Sequence, residues 1–299
     1  MADPELPPAA VAWRDSGRIA TIAGRRLFVR RRPGDGSVAG APTLLFLHGF
    51  PTSSFDWRAT IDRLPGHDAL TFDFLGFGLS EKPRGHDNDL FEQADLTEAV
   101  LAAEGVEGPV TVIAHDMGTT VANELIAREI EGRLPFALAG VLLSNGSVVV
   151  ERASLRPIQK LLRSPLGPLV ARLSNRRMFG RQMAALFSPG HPLDDAEAAA
   201  QWAQVARAGG HRNMHQLATY NGQRIAFAQR WHGALRDWDG RLGLAWGLLD
   251  PVATTAVLDA LRALRPAAAV TTFDDLGHYP QVEDPARVAE AVAAFAAAG

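Results

Sequence analysis

Ala114-His115-Asp116-Met117-Gly118 is the stretch whose reading decides this chain. It follows an apolar β-like run, Val110-Thr111-Val112-Ile113, and leads into a helix-like run that begins at Thr119. A small residue, a residue with chemistry and a second small residue, set between a strand and a helix, describe a sharp turn that lifts the middle side chain clear. The flanks are small because strand and helix backbones pass too close for larger side chains. Such turns usually carry Ser in the middle; here it is Asp116. Taken alone, an Asp ahead of a helix is more often an N-cap. The rest of the chain has to decide.

Strand and helix signals alternate along it. Residues 18–22 and 26–30 read as a β-hairpin with Gly24 in the turn. Short apolar runs at 43–47, 69–73, 110–114, 140–144, 242–248 and 268–273 read as buried parallel strands. Helical spacing appears at 91–104, 119–131, 254–264 and 284–297. This alternation predicts an α/β fold with an open, mainly parallel sheet and right-handed crossovers. Residues 147–232 break the rhythm, with helical patches interrupted by Pro157, Pro165, Pro168, Pro189 and Pro192. They read as a helical cap inserted into a core made of 1–146 and 233–299. A cap there would cover the carboxyl ends of the strands, where open α/β sheets place their sites, and would keep water from the chemistry.

Composition narrows the class. The chain has 299 residues, 47% hydrophobic and 21% charged, enough to bury a large core. A net charge of −3 gives no reason to expect nucleic acid as partner. With no cysteine, disulfides and thiolate chemistry are excluded. Residues 1–12 lack the basic and apolar regions of a signal peptide. No apolar run is long enough to span a bilayer, so stable membrane insertion is not expected. A cytoplasmic protein, monomer or homodimer, is the resulting expectation.

Four features fall at the ends of expected strands. Leu47-His48-Gly49-Phe50-Pro51 is a His-Gly-x-Pro turn. Such a turn typically offers a backbone N–H, here that of Phe50, to an oxyanion, and the N–H of Met117 supplies the second. The elbow with Asp116 comes next. Gly247-Leu248-Leu249-Asp250-Pro251 places an acid just past a strand, and Leu276-Gly277-His278-Tyr279-Pro280 places a His after the last strand. Each has a plainer reading: Asp250-Pro251 as turn chemistry, His278 as a satisfied loop histidine. Their conjunction supplies nucleophile, acid and His in a workable chain order beside an oxyanion turn. The run from Phe72 to Ser80, with Gly76 and Gly78, reads as a structural loop below the site.

A carboxylate in the elbow implies its own chemistry. It attacks esters poorly but can displace a leaving group from sp³ carbon and form an alkyl-enzyme ester. Asp116 would attack the substrate carbon. His278, oriented by Asp250, would then deprotonate a water that attacks the ester carboxyl carbon, with the Phe50 and Met117 amides holding the oxyanion. The base acts on water because the nucleophile is already ionised at neutral pH.

His48-Gly49-Phe50-Pro51, the His115-Asp116 elbow, Asp250-Pro251 and Gly277-His278 together resemble the epoxide hydrolase and haloalkane dehalogenase branch of the α/β-hydrolases. The resemblance covers nearly the whole chain. Within that branch it resembles the mesoderm-specific transcript (MEST-like) hydrolases, through residues 48–57, the 73–83 run DFLGFGLSEKP, Leu143-Ser144-Asn145-Gly146 and residues 278–285. It implies the α/β-hydrolase fold with an inserted helical cap and a cofactor-independent hydrolase.

Departures from the branch bear on the leaving group. Haloalkane dehalogenases usually follow the nucleophile with a halide-binding Trp and carry Asn in the oxyanion turn; this chain has Met117 and Phe50. Epoxide hydrolases of the branch usually use two cap tyrosines, and here Tyr220 is the one cap candidate. Fluoroacetate dehalogenase-like enzymes carry an Arg just after the nucleophile, absent here. Tyr220, with His215 or Asn145 as another donor, favours epoxide or strained-ring opening, β-lactones included. Trp202 and Trp231 are the candidates for a haloalkane dehalogenase-like reaction through their indole N–H groups. Each of the five also reads as packing, turn or cap structure. A binding protein that kept the fold and lost turnover is the non-enzymatic alternative, against which the Asp116, Asp250 and His278 set argues. No metal-ligand spacing or nucleotide fingerprint is present, because His211 and His215 lack an intervening acid in HExxH spacing. The proposed reaction needs no cofactor.

Basic residues Arg152, Arg156, Lys160, Arg163, Arg172, Arg176, Arg177 and Arg181 interleave with leucines in the cap. Such a stretch is either a solvated cap face or a surface that touches membranes. A small apolar or lipid-like substrate suits either.

Overall fold

In the computed structural model, which describes residues 4–38, 40–146 and 148–298, the carboxyl ends of neighbouring strands carry the motifs. The strands are β1 (Arg18–Ile22), β2 (Arg25–Arg32), β3 (Thr43–Leu47), β4 (Ala69–Phe72), β5 (Val110–His115), β6 (Leu138–Ser144), β7 (Leu242–Gly247) and β8 (Ala269–Phe273). They form one sheet in the order β1-β2-β4-β3-β5-β6-β7-β8. The β1–β2 hairpin is antiparallel, and β2 pairs antiparallel with β4; the remaining pairs are parallel. The α/β-hydrolase fold expected from the sequence is therefore present. Strands β3 to β7 are almost wholly buried. That is why they read as continuous apolar runs rather than alternating ones.

Register brings the motifs together. Leu47 of β3 lies opposite Ala114 of β5, so the His48-Gly49-Phe50 turn leaves the sheet beside the elbow. His115 pairs with Ser144, which places Asn145 next to Asp116, and Ser144 pairs with Ala245 of β7. Gly247 pairs with Phe273, which sets the loops carrying Asp250 and His278 side by side.

The helix Met117–Ile130 behind the elbow is buried through Arg128. It even takes Glu124 into the interior, where the carboxylate accepts from Arg128 Nε at 3.0 Å, Arg230 Nε at 2.7 Å and Trp231 Nε1 at 3.0 Å. A buried carboxylate persists only with such partners. Between β6 and β7 the described residues form helices and loops and no strand. The expected boundary of this segment at 147 falls on Ser147, and the outer ends of the expected core on residues 1–3 and 299, all outside the described residues. The expected boundary at 232 lies inside the helix Ala228–Asp237, which packs on the elbow helix through Arg230 and Trp231. One helix was not foreseen in the Pro/Ala-rich start: Pro8–Asp15, which buries Ala10 and Trp13. Trp13 lies 6.0 Å from Phe28 and 6.2 Å from Phe55, centroid to centroid, under the Arg30 guanidinium at 4.7 Å.

Candidate active site

Asp116 sits at φ 44° and ψ −110°, a left-handed conformation that costs a non-glycine residue energy. Close packing holds it there. A Cβ on Gly118 would meet the His48 carbonyl oxygen at 2.6 Å, and one on Gly146 would meet Asp116 Cα at 2.3 Å. The N-cap reading fails on geometry, because the Asp116 side chain makes no cap hydrogen bond to the helix it precedes. Its Oδ2 instead accepts from the Phe50 N–H at 3.0 Å. One carboxylate oxygen thus occupies the place expected for an oxyanion. The Met117 N–H opens the helix Met117–Ile130, among the donors a helix leaves without an internal partner.

The oxyanion turn is held by His48. Its Nε2 accepts from the Phe74 N–H at 3.0 Å, and its Nδ1 lies 2.9 Å from the Gly49 carbonyl, to which it donates. Burial lowers the pKa of this ring and keeps it neutral. The loop below the site is knotted around Asp73. Oδ1 accepts from the Ser54 N–H at 2.8 Å and Oδ2 from the Leu79 N–H at 2.6 Å, and the Asp73 carbonyl accepts from Ser80 Oγ at 2.6 Å.

The acid and the His meet as the chain order implies. His278 Nδ1 is 2.7 Å from Asp250 Oδ2. Asp250 also performs turn chemistry, its Oδ1 accepting from the Val252 and Ala253 N–H groups at 2.7 and 3.0 Å. Burial disfavours the Asp250 charge, but the His278 charge and hydrogen bond, then Asn145 and the Val252 amide, bring its pKa below the ordinary carboxylate value. Burial likewise opposes a charged His278. Asp250, by charge and hydrogen bond, with Asp116 and Glu283 behind it, carries that pKa above the ordinary imidazole value. His115 lies with its ring centroid 5.0 Å from that of His278 and Nε2 2.7 Å from the His278 carbonyl. Burial and the neighbouring His278 lower its pKa to about 4, so it stays neutral and donates.

A sequence profile described as the alpha/beta hydrolase family matches residues 44–291. The chain belongs to that family. It is 57% identical over 284 residues to LipZ of Mycobacterium tuberculosis, covering 95% of this chain and 96% of that protein. It is 36% identical to the human mesoderm-specific transcript homolog protein, covering 94% of this chain and 86% of that one. This agrees with the MEST-like resemblance in its motifs. Haloalkane dehalogenase DbeA from Bradyrhizobium elkani superposes with a TM-score of 0.75 at 23% identity, over 95% of this chain and 99% of that one. That likeness shows the shared fold.

Above the alpha/beta hydrolase floor lies an apolar cleft. Phe50, Pro51, Val252 and His278 line its floor side, and Leu162, Met178, Phe179, Met183 and Trp202 are among its other walls. Of the five leaving-group candidates, one lines this cleft and a second packs against Phe50 of its floor. Trp202 lines the cleft. Tyr220 is fully buried, its ring centroid 5.8 Å from that of Phe50. The other three are corrected by their contacts. Asn145 donates from Nδ2 to Asp250 Oδ2 at 2.8 Å and to the Gly247 carbonyl at 3.1 Å, so it holds the acid. Trp231 spends its indole N–H on Glu124. His215 pairs Nδ1 with the Arg212 carbonyl at 3.0 Å on a partly exposed turn.

Sequence reasoning passed over Arg224. From the helix Tyr220–Ala226 it donates through Nη2 to the Asp116 carbonyl at 2.8 Å and through Nε to Thr120 Oγ1 at 2.7 Å. Its Nη2 also lies 3.9 Å from Asp116 Oδ1, and its guanidinium sits 4.7 Å over the Tyr220 ring. One clue was available: Tyr220 and Arg224 are four apart, on one face of a helix.

Proposed function

We propose that the protein is a cofactor-independent hydrolase that uses Asp116 as a nucleophile on sp³ carbon and opens epoxides or related strained rings. One observation carries this reading. The Asp116 carboxylate, held in a strained elbow, takes its hydrogen bond from the Phe50 amide and not from its own helix. Oδ2 is thereby anchored and Oδ1 is the attacking atom. The helices between β6 and β7 act as the cap, excluding water from the first step.

In that step a carbon–oxygen bond forms to Asp116 and the ring C–O bond breaks. The released alkoxide takes the Tyr220 phenolic proton. Burial, with the nearby Asp116 charge, raises the Tyr220 pKa, so the O–H is retained until a stronger base appears. Arg224 over the ring then favours the phenolate left behind. In the second step His278 takes a proton from water and the hydroxide adds to the Asp116 carboxyl carbon. The Phe50 and Met117 amides hold the oxyanion. Collapse expels the diol oxygen, protonated by His278, and leaves Asp116 as the carboxylic acid, whose proton passes through solvent to the Tyr220 phenolate. Loss of the Asp116 charge on alkylation removes one of the charges that raise His278, leaving the ring a neutral base when it is needed.

Ring opening is favoured over halide release because a buried phenol with a cation above it, Tyr220, packs on Phe50 of the oxyanion turn. A halide would need indole or amide donors; Trp202, Gln159 and Gln182, on helices above the floor, are those that line the cleft.

The test is intact-mass analysis of His278→Gln after exposure to a panel of epoxides and haloalkanes. An epoxide adduct carries the whole mass of the substrate, and a haloalkane adduct that mass less hydrogen halide. We expect the former, located by peptide mapping on Asp116. In the wild type, a single turnover in ¹⁸O-water should label Asp116 before it labels diol. Adduct elsewhere removes Asp116 as nucleophile. No adduct and no wild-type turnover across the panel favours a non-catalytic binding protein.

A further inference from the structure

We infer that the face of the helical segment around the cleft mouth is a docking surface for an anionic lipid bilayer, through which apolar substrate reaches the cleft. The charge distribution comes first. Between 151 and 181 the chain carries eight arginines and lysines and one acid, Glu151, within a protein of net charge −3. Seven of the eight are exposed; Arg156 is half-buried and lines the cleft. Elsewhere arginines are widely engaged with carboxylates: Arg31 with Asp68, Arg58 with Glu197, Arg128 with Glu98 and Glu124, Arg230 with Glu124, Arg287 with Asp275. None of the eight forms a salt bridge among the described residues. Asp195 shares a groove with Arg176, Arg177 and Arg181 without pairing to any of them. A solvated face kept for solubility needs both signs interspersed; this one is of a single sign.

Apolar exposure coincides with that charge. Leu166, Leu169 and Leu173 are 58%, 55% and 61% exposed. They fall at helical spacing from the N-cap Leu166 into the helix Gly167–Leu173, whose opposite side is buried through Gly167 and Ala171. Leu161 and Met178 are exposed as well. Met178 also lines the cleft, which joins the apolar stripe to the mouth. A leucine stripe flanked by unpaired cations matches the chemistry of an anionic lipid surface: side chains for the acyl boundary, charges for the headgroups. Among the described residues no helix is long and apolar enough to cross the membrane, and the contact inferred is a peripheral one. Docking stands on this face alone. Delivery into the cleft rests also on the proposed hydrolase reading.

The experiment is flotation of the whole protein with vesicles of phosphatidylcholine alone and of phosphatidylcholine mixed with phosphatidylglycerol, at low and high salt. We expect retention on the mixed vesicles, weakened by salt. Arg176→Glu/Arg177→Glu should weaken it by more than about tenfold, at about fivefold per charge. Leu169→Ser/Leu173→Ser should also weaken it. These side chains are exposed, so circular dichroism should be unchanged, and turnover of a short soluble epoxide should match the wild type. Asp116→Ala should dock as the wild type does, which separates failure of docking from failure of the hydrolase reading. Equal retention on both vesicle types, or no retention, overturns the inference. A loss confined to the arginine pair assigns the face to a soluble polyanion and also overturns it. So does a dimer in sedimentation velocity that the leucine pair dissociates.

Discussion

The floor of the site and the helical segment over it follow opposite polar logic. In the floor the key polar groups are engaged: Asp116 by Phe50, Asp250 by His278, Asn145 and two backbone amides, His48 by Phe74 and Gly49. Above it, eight cations between 151 and 181 form no salt bridge among the described residues. The floor is a preorganised set of dipoles, which is how electrostatic catalysis avoids reorganisation at the moment of reaction. The upper face keeps its charge unspent and available to something outside the chain. Arg224 is a cation of the upper segment that does reach the floor, and it reaches the elbow itself.

The largest break in that comparison is Asp116→Ala. It leaves the Phe50 amide, the His278–Asp250 pair and the cleft in place and removes the atom that forms the bond in the proposed reaction. Turnover should fall by roughly 10⁴-fold or more, the scale for loss of a covalent nucleophile. Folding should persist, since the substitution also removes a buried charge. Steady-state kinetics with a reactive epoxide checks the first expectation and thermal melting the second. Residual turnover within tenfold of the wild type would return Asp116 to a structural role.

Arg224 sharpens the same comparison. Arg224→Met keeps the length of the side chain and deletes the bonds to the Asp116 carbonyl and Thr120. It also deletes the cation over Tyr220. As a positioning residue it should slow alkylation by roughly hundredfold, comparable with loss of one oxyanion donor, with kcat affected more than KM. Arg224→Lys should recover part of this, because a point charge replaces a planar fork. The rate of adduct formation in a His278→Gln background isolates the step. A fall in melting temperature with unchanged alkylation would make Arg224 a packing residue only.

How legible each region was in the sequence follows from the range of its contacts. The floor is built from strand ends, and a buried strand followed by a turn leaves a local signature. Register then does the assembly: Leu47 opposite Ala114 and Gly247 opposite Phe273 bring the four motifs together without further information. Asn145 was flagged, but for a different role, because nothing local reveals that its amide points at Asp250, 105 positions away. Arg224 contacts Asp116 across 108 positions from a short helix, and the six- and seven-residue helices before it carry too few turns to show a period. Trp231 read as a halide donor because an indole N–H is a good one; its partner Glu124, a charged residue at a fully buried helix position, is an exception to the usual burial rule.

Asn145 offers a smaller effect. It sits at φ 40°, so Asn145→Gly removes the amide while leaving the backbone at ease. Asp250 Oδ2 then loses a donor and becomes more basic, and His278 follows it upward. We expect kcat to fall by roughly tenfold, on the scale reported for losing an orienting outer-shell partner, with the acid limb of the pH–rate profile moved to higher pH. A fall in kcat without that movement would mean that Asn145 only braces the loop at Gly247.

The smallest expected effect is a pH difference within the wild type. His278 has a raised pKa, so its pairing with Asp250 stabilises the fold fully below the unfolded imidazole value and loses that contribution as pH rises through the folded one. Asp250 is depressed, so its contribution is present above the unfolded carboxylate value and is lost as pH falls through the folded one. The pair therefore stabilises most between those limits. The proposed second step needs the opposite state of His278, the neutral ring. Since Asp116 is one of the charges that raise His278, esterification should lower that pKa. Decay of the alkyl-enzyme, followed by rapid quench, should show an acid limb below the His278 titration seen by NMR in the free protein. Coincident values would mean that the Asp116 charge does not reach His278, and Asp250, rather than the nucleophile, would then set the basicity of the ring.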